Sequence, residues 1–254
     1  MKIIRFAHKE ANEGAEHWGV LDGDRVQALP NGPFGEIAPS GEKLSLDAVK
    51  LLAPVKPGKL VCVGLNYVLH ARESGLPLPD EPMLFMCSPQ AIIGPGEAIV
   101  LDSHDKRIEY EAEIGIVIGK RARNVAAADA ASVVLGYTCA NDVSNRDLQL
   151  KDKQFTRAKS FDTYKPMGPW IETGLDPDAQ TIRLRQNGVV RQDSVTSDMI
   201  FPTPFIIEFV SSIMTLEPGD VIITGTPSGV GPMKSGDTIE IEISGIGKLE
   251  NPVR

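Results

Sequence analysis

Arg107-Ile-Glu-Tyr-Glu-Ala-Glu-Ile-Gly-Ile-Val-Ile-Gly119 sets two carboxylates, Glu111 and Glu113, two residues apart inside an apolar, β-branched run. A strand sends side chains i and i+2 to the same face, so a single strand over Tyr110–Ile118 stands these acids side by side. Like charges held that close, with no basic residue between them, raise each other's pKa and weaken the strand unless a cation separates them. A hard divalent ion bound through oxygen is the simplest resolution. An isolated Glu-x-Glu is more often a solvated strand face, so the metal reading depends on the residues around it.

Gly136-Tyr-Thr-Cys-Ala-Asn-Asp142 is a second apolar stretch ending in a third acid, followed by Val-Ser-Asn-Arg146-Asp-Leu-Gln149. Upstream, Lys59-Leu-Val-Cys-Val-Gly-Leu-Asn-Tyr67 is a buried-type strand that breaks before His70 and Glu73. Their i, i+3 spacing stacks them in a helical turn, where the acid can fix the histidine's tautomer and raise its basicity. That is what a general base needs, although such a pair also occurs on plain helix surfaces. Downstream lie Arg157-Ala-Lys159-Ser-Phe-Asp and the glycine-rich Thr224-Gly-Thr226-Pro-Ser-Gly-Val-Gly231. A phosphate loop, a dinucleotide fingerprint, H-E-x-x-H, C-x-x-C and G-x-S-x-G are all missing, which removes most nucleotide, zinc-protease and serine-hydrolase readings.

Six segments, taken in order, resemble the fumarylacetoacetate hydrolase family: Val61–Tyr67 with His70, Tyr110–Ile114, Asn141–Gln149, Arg157–Asp162, Pro166–Trp170 and Leu216–Gly231. They run from Lys59 to the C-terminus. The resemblance implies a mixed β-sheet fold and a homodimer. It implies Mg²⁺ or Mn²⁺ held by Glu111, Glu113 and Asp142, with His70 and Glu73 as the base. Lys159, Arg146 and Gln149 then surround a developing oxyanion, and Thr226 contacts substrate. The reaction expected is hydrolysis of a C–C bond in a small 2,4-dioxo acid. His70 with Glu73 would activate a water against the C4 carbonyl while Lys159 and Gln149 stabilise the oxyanion. Isomerisation or decarboxylation of an unsaturated 2-oxo dioate from aromatic catabolism, oxaloacetate included, uses the same chemistry and is the alternative. A metal-binding paralogue with little catalysis is the alternative from another class. Two positions depart from the family pattern. Leu69 stands where an aspartate is common, and Cys87 where a lysine is common, which puts a thiol near the expected site.

The rest of the chain bounds these expectations. Lys and Arg number 26 against 34 acids, for a formal charge of −8, with aromatics at 6%; this argues against a nucleic-acid partner. Cys62, Cys87 and Cys139 are odd in number and set in apolar runs, as reduced core thiols are. The N-terminus reaches charge too early for a signal core, and no apolar run approaches a membrane span. A cytoplasmic enzyme with no membrane partner is expected.

Residues 1–56 read as a small β-rich module and 57–254 as the catalytic domain, with Pro54 and Pro57 at the joint. Asp22-Gly23 and Asn187-Gly188 signal hairpins. Helices are expected at Leu44–Leu52, His70–Ser74, Ala126–Val134 and Pro204–Met214, the last opening on a proline suited to a first turn. Strands are expected at Lys59–Val63, Tyr110–Ile118, Gly136–Ala140, Gly168–Glu172, Val221–Thr224 and Thr238–Ile243. Strands and helices do not alternate, so the fold class is α+β, dominated by β, rather than a doubly wound sheet.

Overall fold

A computed structural model describes residues 1–9 and 15–254. It is a β-dominated α+β fold built on one large mixed sheet of 12 strands. The central strands are Val134–Asn141, Ala112–Ile118, Val221–Ile223 and Leu60–Gly64, in that order, with Met83–Cys87 at the edge. Among these five strands pairing is antiparallel except between Val221–Ile223 and Leu60–Gly64. Every residue of Ala112–Ile118 is buried, which is why that strand reads as a continuous apolar run rather than an alternating one. Lys2–His8 joins the sheet by pairing Lys2 with Glu172 and Ile3 with Ile171, so the strands of residues 1–56 prolong it.

The expected strand Tyr110–Ile118 is two strands. Ile108–Tyr110 belongs to a three-stranded sheet with Ser144–Asn145 and Gly231–Pro232, while Ala112–Ile118 belongs to the large sheet. Glu111 is the residue at which the chain changes sheets. The same pairing draws the ends of three distant segments around it. The hairpin over Asn187-Gly188 forms with both residues at positive φ, 53° and 78°, as a two-residue turn of that sequence requires.

Three expectations change. Leu44–Leu52 is not a helix: Ser40–Ser45 pairs with Arg25–Ala28 and Val49–Leu51 pairs with Lys2–His8, with a single 3₁₀ turn between. The apolar spacing there serves two strand faces. Ala127–Val133 is a 3₁₀ segment rather than an α-helix. Arg146–Asp152, where no helix is expected from sequence, is an α-helix whose Asn145 side chain accepts from Leu148 N, the usual N-cap contact. Thr203–Ile213 is helical as expected, with Ile206, Ile207 and Val210 buried.

Candidate active site

The sheet switch turns three acids inward. Glu111, Glu113 and Asp142 are 3%, 1% and 1% exposed, and one oxygen of each lies within 4.8 Å of the others. Asp142 N donates to Glu111 O at 2.9 Å, and Asn141 Oδ1 accepts from Glu111 N at 2.9 Å, so the two acid-bearing backbones are tied together. Glu113 Oε2 accepts from Gly225 N at 2.7 Å. Gly225 has φ +93°, and a Cβ there would meet Asn66 Cβ at 2.8 Å, so this turn requires glycine. Asn66 braces it by donating to Thr224 O and Phe201 O while accepting from Phe201 N.

Cations close over the acids. Lys159 Nζ donates to Glu111 Oε2 at 2.7 Å and Asp142 Oδ2 at 2.6 Å, and Lys165 Nζ lies 2.7 Å from Asp142 Oδ1. Arg146 donates to Glu111, to Glu109 at 2.6 Å and to Gln149 Oε1 at 2.8 Å. The acids nearest to Arg146 and Lys159 in sequence, Asp147 and Asp162, are not their ion-pair partners. Burial pulls the Lys159 ammonium down, but Asp142 and Glu111 outweigh it and hold the pKa above the usual lysine range. Burial likewise pushes Glu111 up, but Arg146 and then Lys159 hold it well below the carboxylate range. Glu113 goes the other way. Its burial, then Asp142 and Glu111, drive its pKa well up.

The donor set fits a hard divalent ion. It is all carboxylate, buried, and short of its full share of partners: Asp142 Oδ1 faces Lys165 Nζ off any hydrogen-bonding direction, leaving a buried acceptor unused. Glu113 is held in a place that favours its neutral form, which a cation among the three oxygens would reverse.

Above the acids lies a cleft of about 470 Å³, within the range of small-molecule sites. His70, Glu73, Glu111, Glu113, Arg146, Gln149, Lys159 and Thr226 line it, while Asp142 sits behind. His70 Nδ1 is 3.2 Å from Glu73 Oε2 on the short helix Val68–Glu73. Gly229 N donates to both Glu73 oxygens at 3.1 and 3.2 Å, so the glycine-rich turn fixes the acid that fixes the histidine. Thr226 Oγ1 accepts from Gln192 Nε2 at 2.9 Å, and the same Gln192 accepts from Ala112 N. Leu65, at φ 54°, is a non-glycine residue in the left-handed region on the wall of the cleft.

All nine residues expected at the site are therefore gathered in one place. Three more belong with them. Glu109 is 1% exposed and ion-paired to Arg107 and Arg146. Lys165 and Gln192 carry no local pattern that marks them. Cys87 is corrected: it is 3% exposed, packs with Leu60, Cys62 and Met167, and does not line the cleft. Its register opposite Leu60 turns the thiol under the sheet. Hydrogen bonding to Cys62, against its own burial, lowers its pKa.

Residues 59–254 match the family model described as fumarylacetoacetate (FAA) hydrolase C-terminal, and residues 1–54 match one described as Rv2993c-like, N-terminal. The chain belongs to the fumarylacetoacetate hydrolase family. Among the relatives of this family member, an uncharacterized protein of Archaeoglobus fulgidus is 52% identical over 211 residues, covering 83% of this chain and 84% of the relative. A Xenopus laevis protein named oxaloacetate tautomerase fahd2, mitochondrial, is 42% identical, covering 83% of this chain and 70% of the frog protein. The crystal structure of a 5-carboxymethyl-2-hydroxymuconate delta-isomerase from Mycobacterium smegmatis superposes with TM-score 0.92 at 42% identity, covering 100% of this chain and 99% of that one. No helix among the described residues is long and apolar enough to cross a membrane.

Proposed function

We propose that this family member moves a proton on a small 2-oxo acid, as an isomerase or tautomerase dependent on Mg²⁺ or Mn²⁺. The observation that carries the reading is a division of labour in the cleft. The buried acid trio is set apart from a single acid–base pair, His70 and Glu73, at the wall. Glu111, Glu113 and Asp142 would hold the ion. When bound, the ion would draw electron density from the 2-oxo group and so acidify the neighbouring C3–H.

His70 takes that proton. With Nδ1 donating to Glu73, the lone pair is on Nε2, the atom that receives the proton from C3 and returns it at the far end of the conjugated system or at oxygen. Glu73 stabilises the imidazolium formed, and Gly229 N keeps Glu73 in place. Arg146 and the Gln149 amide face the substrate's oxygens. The name of the frog relative and that of the mycobacterial isomerase support proton transfer over bond cleavage.

Hydrolysis of a 2,4-dioxo acid is the second reading, and one contact favours it. Gln149 uses its oxygen to accept from Arg146, which leaves its amide N–H groups for an oxyanion at C4. Against it, Lys159 already spends two donors on Glu111 and Asp142. Proton NMR in D₂O separates the readings. With Mg²⁺ and a 2-oxo acid bearing C3 protons, the chain should exchange C3–H for deuterium without releasing a carboxylic acid, and His70→Ala should lose the exchange. Cleavage products appearing as fast as deuterium would favour hydrolysis, and absence of both with metal present would refute the proposal.

A further inference from the structure

Arg107, Glu109, Arg146 and Gln149, joined by hydrogen bonds, form one polar wall of the cleft, whose lining also includes apolar Leu65, Leu76, Met83 and Phe155. A second anionic group on a substrate anchored at the acid trio finds charged partners along the polar wall.

Glu109 organises that wall. Its Oε1 accepts from Arg107 Nε at 2.5 Å and its Oε2 from Arg146 Nε at 2.6 Å. Arg146 also gives one N–H from each terminal nitrogen, to Gln149 and to Glu111, so all three of its nitrogens are engaged. Those of Arg107 are not. Its side chain is 63% exposed, and among the described residues only Nε of its side chain is hydrogen-bonded, so both terminal nitrogens are free. A guanidinium pinned at Nε offers those two nitrogens as a rigid fork, the shape that meets a carboxylate with two parallel bonds.

The charges lead the same way. The buried layer holds four carboxylates, Glu109, Glu111, Glu113 and Asp142, against Arg146, Lys159 and Lys165. With every group ionised, a bound dication leaves one positive charge, which the carboxylate of any 2-oxo acid neutralises. Arg107, which shares Glu109 with Arg146, adds one further positive charge at the rim.

We propose that Arg107 binds a second carboxylate of the substrate, so that the site selects 2-oxo dicarboxylic acids over 2-oxo monocarboxylic acids; this rests on the 2-oxo acid reading above. Glu109 is a positioning residue that aims Arg107. The test is calorimetric binding to the Mg²⁺-loaded protein. The probes are oxalate, which chelates and has no distal group; pyruvate; and the four- and five-carbon 2-oxo dicarboxylates. Arg107→Met should weaken the better dicarboxylate by about 10- to 100-fold, the worth of a charge-assisted pair, while leaving oxalate and pyruvate unchanged. Arg107→Lys should recover part of the loss, and rising salt should shrink the wild-type preference. A dicarboxylate preference that survives Arg107→Met overturns the assignment, as does an equal loss for oxalate, which would make Arg107 a prop of the acid trio. Failure of oxalate to bind the metal-loaded wild type overturns the 2-oxo acid reading, and this inference falls with it.

Discussion

Glu113 differs from its neighbours in having, among the described residues, no ion-pair partner; it accepts from the Gly225 amide, and burial with two nearby carboxylates favours its proton. A folded-state pKa above the unfolded one means the folded chain binds that proton more tightly. The associated stability is present below the ordinary carboxylate range and is lost as pH rises through the raised value. Metal-free wild type should therefore lose stability with rising pH faster than Glu113→Gln, read from denaturation midpoints across the pH scale. Loading Mn²⁺ must expel the proton, so apparent affinity should rise with pH by up to about tenfold per unit, and calorimetry in buffers of different ionisation heat should register proton release. Affinity independent of pH would show Glu113 to be ionised beforehand. His70→Ala should lower kcat by about 10²- to 10⁴-fold with Mn²⁺ binding intact, since the base lies outside the acid trio. At this scale the sequence was informative wherever chemistry and spacing coincide, as in Glu111 with Glu113 or His70 with Glu73. Glu109 was not legible as a site residue, because a paired carboxylate and a ligand carboxylate look alike until the arginines are placed. Lys165 reaches Asp142 only because two strands far apart in sequence are neighbours in the sheet.

The glycine-rich turn after Val221–Ile223 serves both halves of the site, giving Gly225 N to Glu113 and Gly229 N to Glu73. Gly225→Ala would place a methyl group 2.8 Å from Asn66 Cβ in a backbone conformation at φ +93°. It should cost about 1–3 kcal/mol in chemical denaturation and weaken Mn²⁺ binding as the amide swings from Glu113. A variant with unchanged stability and metal affinity would show that the turn is not held in this form. The helix Val68–Glu73 closes the cleft from the other side with little packing: Ala71 is buried, while Leu69, Leu76 and Leu78 are 52%, 54% and 53% exposed. Amides from Tyr67 to Pro82 should exchange quickly in the free protein and slowly with Mg²⁺ and oxalate; protection indifferent to ligand would remove this segment from the mechanism. Elements with a strong local signal, such as Thr203–Ile213 and the Asn187-Gly188 hairpin, were legible because period and turn chemistry suffice. Leu44–Leu52 was not, because its strand state is fixed by partners at Lys2–His8 and Arg25–Ala28 rather than by its own spacing.

Across the whole molecule, the part that matches its own N-terminal family model is joined to the rest by more than a linker. Ile3, Leu29 and Val55 share one buried cluster with Leu60, Cys62, Met167 and Ile171, on the underside of the strands that carry the site. Met1 N pairs with Glu172 at 2.6 Å, and Lys2 Nζ sits 4.4 Å from the centre of the Trp170 ring. Burial of each large aliphatic side chain contributes on the order of 1.5–3 kcal/mol, so opening this cluster would remove a large share of a typical domain's stability. Removing residues 1–56 would also bare the edge of Lys165–Glu172, the strand that delivers Lys165 to Asp142, and an unprotected edge invites pairing between chains. The two tryptophans make the point measurable, because Trp18 lies in the N-terminal strands and Trp170 in the catalytic part. In urea, fluorescence of Trp18→Phe and of Trp170→Phe should report one shared midpoint that coincides with far-ultraviolet dichroism, and a chain starting at residue 57 should aggregate or bind Mn²⁺ poorly. Two separate transitions, or a soluble 57–254 fragment with the full chain's Mn²⁺ affinity, would show that the N-terminal part is an independent appendage with no hold on the three buried acids.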